Sequence, residues 1–207
     1  RINDMGDVPL PEANDNEMCI ERITDFYRAI DRSLTRPVSV GGDHSVTGGI
    51  IQAIAGEHAS LTGGRKAAFL HFDAHTDAYE KVPHFLGAIK SAAHWASFLV
   101  RQGQIDAHSS VQIGMRGNPR TLDWLAPSTE LGYEVITMER YRSLGMSETI
   151  KIILDRIGDV PLYITFDLDC MDPTVAPGVA NIEAGVQGFQ VDEVLELLRC
   201  VRGRNII

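Results

Sequence analysis

Asp73-Ala74-His75-Thr76-Asp77 follows the apolar run Lys66 to Phe72 and places three metal-ligating residue types at alternate positions. In an extended chain alternate side chains share one side, so Asp73, His75 and Asp77 are expected to converge where the strand ends. Two further segments repeat the arrangement. Gly41-Gly42-Asp43-His44-Ser45 follows the short apolar stretch Pro37 to Val40, and Asp167-Leu168-Asp169-Cys170-Met171-Asp172-Pro173 ends the run that begins at Leu162. In an open parallel sheet the strand C-termini lie along one edge, and ligands bind in the crevice there. Three strand ends then deliver His44, the triplet, and the pair Asp167 and Asp169 to one place.

The chemistry follows from charge. Four aspartates and two histidines carry −4 together, which two divalent cations balance. A single cation leaves uncompensated negative charge in a crevice, which is costly. Two metal ions about 3.5–4 Å apart, bridged by shared carboxylates, are an established arrangement for activating a water. Carboxylate-rich ligation without thiolate favours manganese over zinc, while the imidazoles leave nickel or iron within range. Each segment also has a plainer reading. Asp43 and Ser45 suit helix capping, Asp172 before Pro173 suits a turn, Cys170 suits a packed thiol, and His58, His71 and His108 suit structural roles.

Apolar runs alternate with helical patterns along the chain. Helices are expected over 17–34, 47–59, 89–100, 148–157 and 191–201, and strands over 37–40, 66–72, 111–115, 133–137, 162–168 and from 205. Repeated strand–helix alternation gives an α/β fold, a parallel sheet covered on both faces. With 207 residues, 44% hydrophobic content and no low-complexity linker, the chain suits one domain with a sizeable core. A net charge of −9 argues against nucleic-acid or anionic-membrane partners. No apolar stretch approaches the roughly 20 residues that cross a bilayer. Three scattered cysteines suggest neither a disulfide framework nor a thiolate zinc site, and a reducing cytoplasm is the simplest setting.

In this order and at these separations, the three motifs resemble the signatures of the ureohydrolases, the arginase and agmatinase family, over essentially the whole chain. The resemblance implies a three-layer α/β/α sandwich with a mostly parallel sheet and a homo-oligomer, trimer or hexamer. It implies a binuclear centre, manganese or alternatively nickel, that cleaves a small guanidino substrate to urea and an amine by attack of a metal-bridging hydroxide. One ion would sit on His44, Asp73, Asp77 and Asp167, the other on His75, Asp73, Asp167 and Asp169, with Asp73 and Asp167 bridging.

A guanidinium stays charged at physiological pH and is a poor electrophile, so its leaving amine needs a proton donor. In the resembled family a histidine on the element after Asp-Ala-His-x-Asp supplies it. Here His94, at the start of an expected helix over the crevice, is the choice, and His84 the runner-up. Agmatinases and arginases carry His-Gly in this region, whereas this chain has His94-Trp95. The departure points to the branch acting on guanidinopropionate, guanidinobutyrate or guanidine, and Trp95 and Tyr79 suggest a smaller pocket or ordinary core packing. A formimino-group hydrolase and a non-catalytic subunit are the alternatives. The second would show lost ligands, and all six are present.

The chain opens on Arg1 with no element before it and closes on Asn205-Ile206-Ile207, which reads as a strand cut at its start. Residues 1–207 are therefore expected to be one domain truncated at both ends. In the resembled family that last strand runs into an Asp-x-x-Glu segment whose glutamate pairs with the substrate. Residues 1–207 alone are expected to be poorly soluble and almost inactive.

Overall fold

A computed structural model describes residues 2–11, 15–80, 88–117, 122–183 and 185–207. Among them, four strands form one parallel sheet in the order β3-β2-β1-β4. These are β1 (Ala68–Phe72), β2 (Val111–Met115), β3 (Glu134–Thr137) and β4 (Leu162–Phe166). Every residue of β1 and β2 is buried, as expected of parallel strands covered on both sides.

The side-chain alternation of β1 separates two cores. Phe69 shares a core with Ile23, Ile30, Ile51, Ile54, Trp95 and Leu99 from the helices α1 (Asn16–Arg32), α2 (Ser45–Ile54) and α3 (Trp95–Arg101). Ala68, Leu70 and Phe72 pack with Ile153, Ile157 and Leu197 from α5 (Met138–Ile157) and α6 (Val191–Cys200). The short α4 (Ala126–Leu131), with Pro127 in its first turn, joins the first face through Leu131. The result is three layers, helix, sheet and helix.

Local sequence sets the helix ends. Asp15 caps α1 by accepting the Met18 amide, and Ile20, Ile23, Tyr27 and Ile30 form its buried stripe. Gln190 and Glu193 form a reciprocal capping box on α6. Gly145, at φ +75° and ψ 170°, breaks α5 into two helical pieces.

Strand order locates the crevice. From β1 the chain steps one way to β2 and β3 with α3 and α4 on one face, then returns past β1 to β4 through α5 on the other. Right-handed crossovers require that change of face. The direction therefore reverses between β1 and β4, whose C-terminal ends open the switch-point crevice.

Several expected elements differ. The expected strand over 37–40 is absent: Pro37 lacks an amide donor, Val38 and Val40 are both 98% exposed, and no ladder among the described residues pairs with the segment. The strand expected from 205 is reduced to a single bridge between Ile206 and Leu162. The helix expected over 89–100 begins only at Trp95, and that expected over 148–157 starts ten residues earlier, at Met138. α4 was not expected, because six residues are too few for a helical period to show.

Gly114 ties the sheet to the crevice. It sits at the irregularity between Ile113 and Met115 with φ +105°, and a Cβ there would lie 2.7 Å from the Asp73 carbonyl oxygen. Gly114→Ala is expected to cost about 1–3 kcal/mol of stability, by strain and overpacking together. Chemical denaturation of the metal-free protein measures it, and an unchanged midpoint would show that the backbone yields freely.

Candidate metal centre

The chain leaves β1 at Phe72, and Asp73 continues the face that carries Phe69 and His71. The triplet then converges differently from an extended strand. The backbone bends at Ala74 and His75, and Asp77 lies in the left-handed region at φ +50°, where aspartate is tolerated better than most residues. Backbone amides fix the turns: His75 N donates to Asp73 Oδ1 (2.7 Å), Ala74 N to Asp169 Oδ1 (3.0 Å) and Asp169 N to Asp167 Oδ1 (2.9 Å). Asp167 thereby caps a short 3-10 turn, Leu168–Cys170. His44 arrives at the N-cap of α2 from the Gly41-Gly42 turn, where Asp43 accepts the Ser45 amide at 2.9 Å.

The structure brings all six expected ligands together. His44 Nδ1 lies 2.8 Å from Asp73 Oδ2, 3.1 Å from Asp77 Oδ2 and 3.4 Å from Asp167 Oδ2. His75 Nδ1 lies 3.1 Å from Asp169 Oδ2 and 3.3 Å from Asp73 Oδ1. The two oxygens of Asp73 thus face different imidazoles, which is the arrangement of a bridging carboxylate. Asp167 stands differently from the expected second bridge. Its Oδ2 faces the His44 group, and its Oδ1 accepts the Asp169 amide, as Asp73 Oδ1 accepts that of His75, but no second imidazole lies against it.

The donor set fits divalent ions. His44 Nδ1 is buried and forms no hydrogen bond, although three carboxylate oxygens surround it. Both Nε2 atoms are anchored outward, His44 to Thr165 Oγ1 and His75 to Glu183 Oε1, each at 2.8 Å, which leaves both Nδ1 atoms turned inward. Two groups of atoms lie close enough to share an ion, one from His44, His71, Asp73 and Asp77, the other from Asp73, His75 and Asp169.

Electrostatics show what the cluster does without cations. Burial pulls the His44 pKa down, but the carboxylates of Asp167, Asp73 and Asp77 outweigh it and hold it well above the ordinary imidazole value. Burial likewise opposes His75, yet Asp169 and Asp73 push it up to about 12. Burial raises Asp73, but hydrogen bonding to His44, His71 and His75 wins and holds it well below the carboxylate range. Asp169 is raised to about 6, by burial first, against the pull of His75, and Asp77 is raised by burial and the Asp73 charge. The carboxylates thus favour the charged form of both imidazoles.

Supporting residues escaped the sequence reading. Gln112 Nε2 donates to Thr76 O (2.7 Å) and lies 3.0 Å from His71 Nδ1, so Nδ1 is the acceptor and the proton sits on Nε2. His71 Nε2 then donates to Asp73 Oδ2 at 2.8 Å and holds that carboxylate in place. Trp95 is fully buried; its indole donates to Asp77 Oδ2 (2.7 Å) and its ring lies 4.8 Å from both His44 and His71. It supports ligands and does not wall a pocket. Arg116 donates to the carbonyls of Asp169, Cys170 and Met171 and fixes the turn that carries Asp169. Glu183 lies in a loop with no motif. The indirect signal for His71 was its place two residues before Asp73 on one strand face.

The remaining candidates are placed as follows. His94 is the N-cap of α3, buried, with Nδ1 2.7 Å from Ser91 Oγ. His84 lies outside the described residues. Asp172 accepts the Thr174 and Gly188 amides, as a turn former does. Burial pushes the Cys170 thiol up, which leaves it inert. His58 and His108 are exposed.

A model of the arginase family matches residues 1–207. The chain belongs to the arginase family. It is 34% identical over 209 residues to guanidinopropionase of Pseudomonas aeruginosa, matching 100% of this chain and 61% of that protein. It is 33% identical over 208 residues to the mitochondrial guanidino acid hydrolase of Homo sapiens, matching 100% of this chain and 55% of that one. Among solved structures, proclavaminate amidino hydrolase from Streptomyces clavuligerus superposes with a TM-score of 0.82 at 28% identity, over 98% of this chain and 63% of its own. Formimidoylglutamase from Bacillus subtilis superposes at 0.81 and 25% identity, over 99% and 62%. This arginase-family chain thus spans 55–61% of the length of these two curated relatives.

Asp73→Asn is expected to abolish tight binding of both ions, because a neutral amide cannot hold two cations together, whereas His44→Ala should lose mainly one. Elemental analysis of the full-length protein measures this. A single ion per unmutated chain would refute the two-ion arrangement.

Proposed function

We propose that this chain forms the metal-binding core of an enzyme that hydrolyses a small guanidino compound to urea and an amine, using two divalent ions, manganese in preference to nickel. One observation carries the reading: two inward-facing imidazole Nδ1 atoms and four aspartates meet at the switch-point crevice, with the Asp73 oxygens divided between them. The names of the relatives, guanidinopropionase and guanidino acid hydrolase, support the substrate class.

Bound divalent ions supply an activated water and positive charge to offset the developing negative charge. The chain's own residues do the rest. Asp73, Asp77, Asp167 and Asp169 fix the positions of the charges, and the backbone amides and His71 keep those carboxylates from turning away. Trp95 and Phe69, both fully buried, exclude water from behind the His44 group. His94 protonates the leaving nitrogen. It immediately precedes Trp95, whose indole holds Asp77, and Ala96, whose amide donates to the Asp77 carbonyl at 3.1 Å, so α3 is keyed to the metal side. A homo-oligomer belongs to the same proposal.

A second reading is favoured by the superposition on formimidoylglutamase. A formimino group offers the same kind of amidine carbon, and its hydrolysis yields an amine and formamide instead of urea. A panel of guanidinopropionate, guanidinobutyrate, agmatine, arginine, guanidine and an N-formimino amino acid, assayed for urea and formamide with the manganese-loaded full-length protein, separates the two. Turnover of none of them would refute both.

General acid catalysis contributes about 10²–10⁴-fold, so His94→Ala is expected to lower kcat by that order with metal content unchanged. Steady-state kinetics beside elemental analysis test it. Wild-type turnover by His94→Ala would remove His94 from the reaction.

A further inference from the structure

We infer that Glu183 is a positioning residue that sets the orientation and tautomer of His75, and through it the affinity of the crevice for its second cation. The inference rests on the metal reading above.

The two imidazoles are held by different means. His44 is gripped by packing: Trp95 lies 4.8 Å and His71 5.2 Å from its ring, and Thr165 Oγ1, itself 3.0 Å from Thr47 Oγ1, anchors Nε2. Among the described residues no aromatic ring packs on His75, and its side chain is 26% exposed against 8% for His44. One flank of its ring lies against Gly117, where any Cβ would overlap it. With less packing around that ring, a specific contact is what fixes its orientation.

Glu183 Oε1, 2.8 Å from His75 Nε2, is that contact. A carboxylate accepts and does not donate, so the proton belongs on Nε2. On the neutral ring that ligation of a cation requires, Nδ1, 3.1 Å from Asp169 Oδ2 and 3.3 Å from Asp73 Oδ1, then carries the lone pair that faces the site. The carboxylate also makes the imidazole a stronger donor, the usual part of an acid placed behind a ligating histidine.

The loop that carries Glu183 is tied to the ligands at both feet. Asp172 N donates to Phe189 O (2.9 Å) and Phe189 N to Cys170 O (3.0 Å), while Asp172 Oδ2 accepts the Gly188 amide (3.2 Å). The chain therefore leaves the strand end that presents Asp169 at Asp172 and is tied back to it at Gly188 and Phe189. This tether gives a carboxylate 14 residues beyond Asp169 a defined place in the crevice.

The test uses the metal-stripped full-length protein titrated with Mn2+ alone, comparing wild type with Glu183→Gln, which keeps the shape and loses the charge. Removing such a partner typically weakens metal binding about 10–100-fold. The expected result is a rise of that size in the dissociation constant of one ion, with the other unchanged. The metal-free thermal midpoint should be unchanged, and at saturating Mn2+ both kcat and KM should return towards wild type. Unchanged affinity with a raised KM would make Glu183 a substrate contact and overturn the inference. Equal weakening of both ions with a lowered metal-free midpoint would make it merely structural and overturn it too. Wild-type binding of fewer than two ions would overturn the metal reading and this inference with it, whereas two ions held undiminished by the variant overturn this inference alone.

Discussion

Asp73 is the point on which the structure turns. A single carboxylate, all but inaccessible to water, has one oxygen 2.8 Å from His44 Nδ1 and the other 3.3 Å from His75 Nδ1. Three more aspartates crowd the same crevice, and like charges so close oppose their own ionisation. Burial first, and the Asp73 charge after it, raises the pKa values of Asp77 and Asp169, while the carboxylates hold both imidazoles above their ordinary value. Cations resolve the same conflict by releasing the protons, so ion binding and the arrangement of the carboxylates are one equilibrium.

Such a cluster persists only if the backbone refuses to let it relax. Asp73 and Asp169 each accept an amide hydrogen bond from the neighbouring turn, Asp167 caps its own 3-10 turn, and Arg116 binds three successive carbonyls behind Asp169. Beneath them β1 is buried along its whole length, packed on both faces. The left-handed Asp77 is the one non-glycine ligand in a sparsely populated conformation, held by Trp95 through its carboxylate and by Ala96 through its carbonyl. Strain at that residue is balanced by contacts made by α3, not by the triplet itself.

The parts that were legible in the sequence share a cause. Motifs at strand ends are read from short spacing, and the strands over Ala68–Phe72, Val111–Met115 and Leu162–Phe166 announce themselves as short, mostly apolar runs, each interrupted by one polar residue, His71, Gln112 or Thr165. Contacts between distant segments are invisible to spacing. His71 supporting Asp73 depends on Gln112, 41 positions away, and Glu183 reaches His75 across 108. The segment over 37–40 failed for a related reason, since its alternation of valines suggests a strand only if a partner ladder lies beside it. Trp95 was read from its bulk, whereas the side chain's meaning lies in its indole N–H, which a buried tryptophan must satisfy and which here selects Asp77.

The two halves of the crevice are physically unequal. The His44 half is lined by Trp95, His71 and Thr165, sealed between α2 and the sheet, and its acids include the strained Asp77. The His75 half is open on one side and built from turns: Ala74–His75, the Leu168–Cys170 turn and the loop bearing Glu183. The difference lies in the imidazoles, His44 8% and His75 26% exposed, since Asp169 beside His75 is as well buried as the acids around His44. An ion beside His44 would be held by a fixed frame, while one beside His75 would depend on hydrogen bonds that order loops. Asp73 couples them, because whatever turns its carboxylate for one half moves an oxygen in the other.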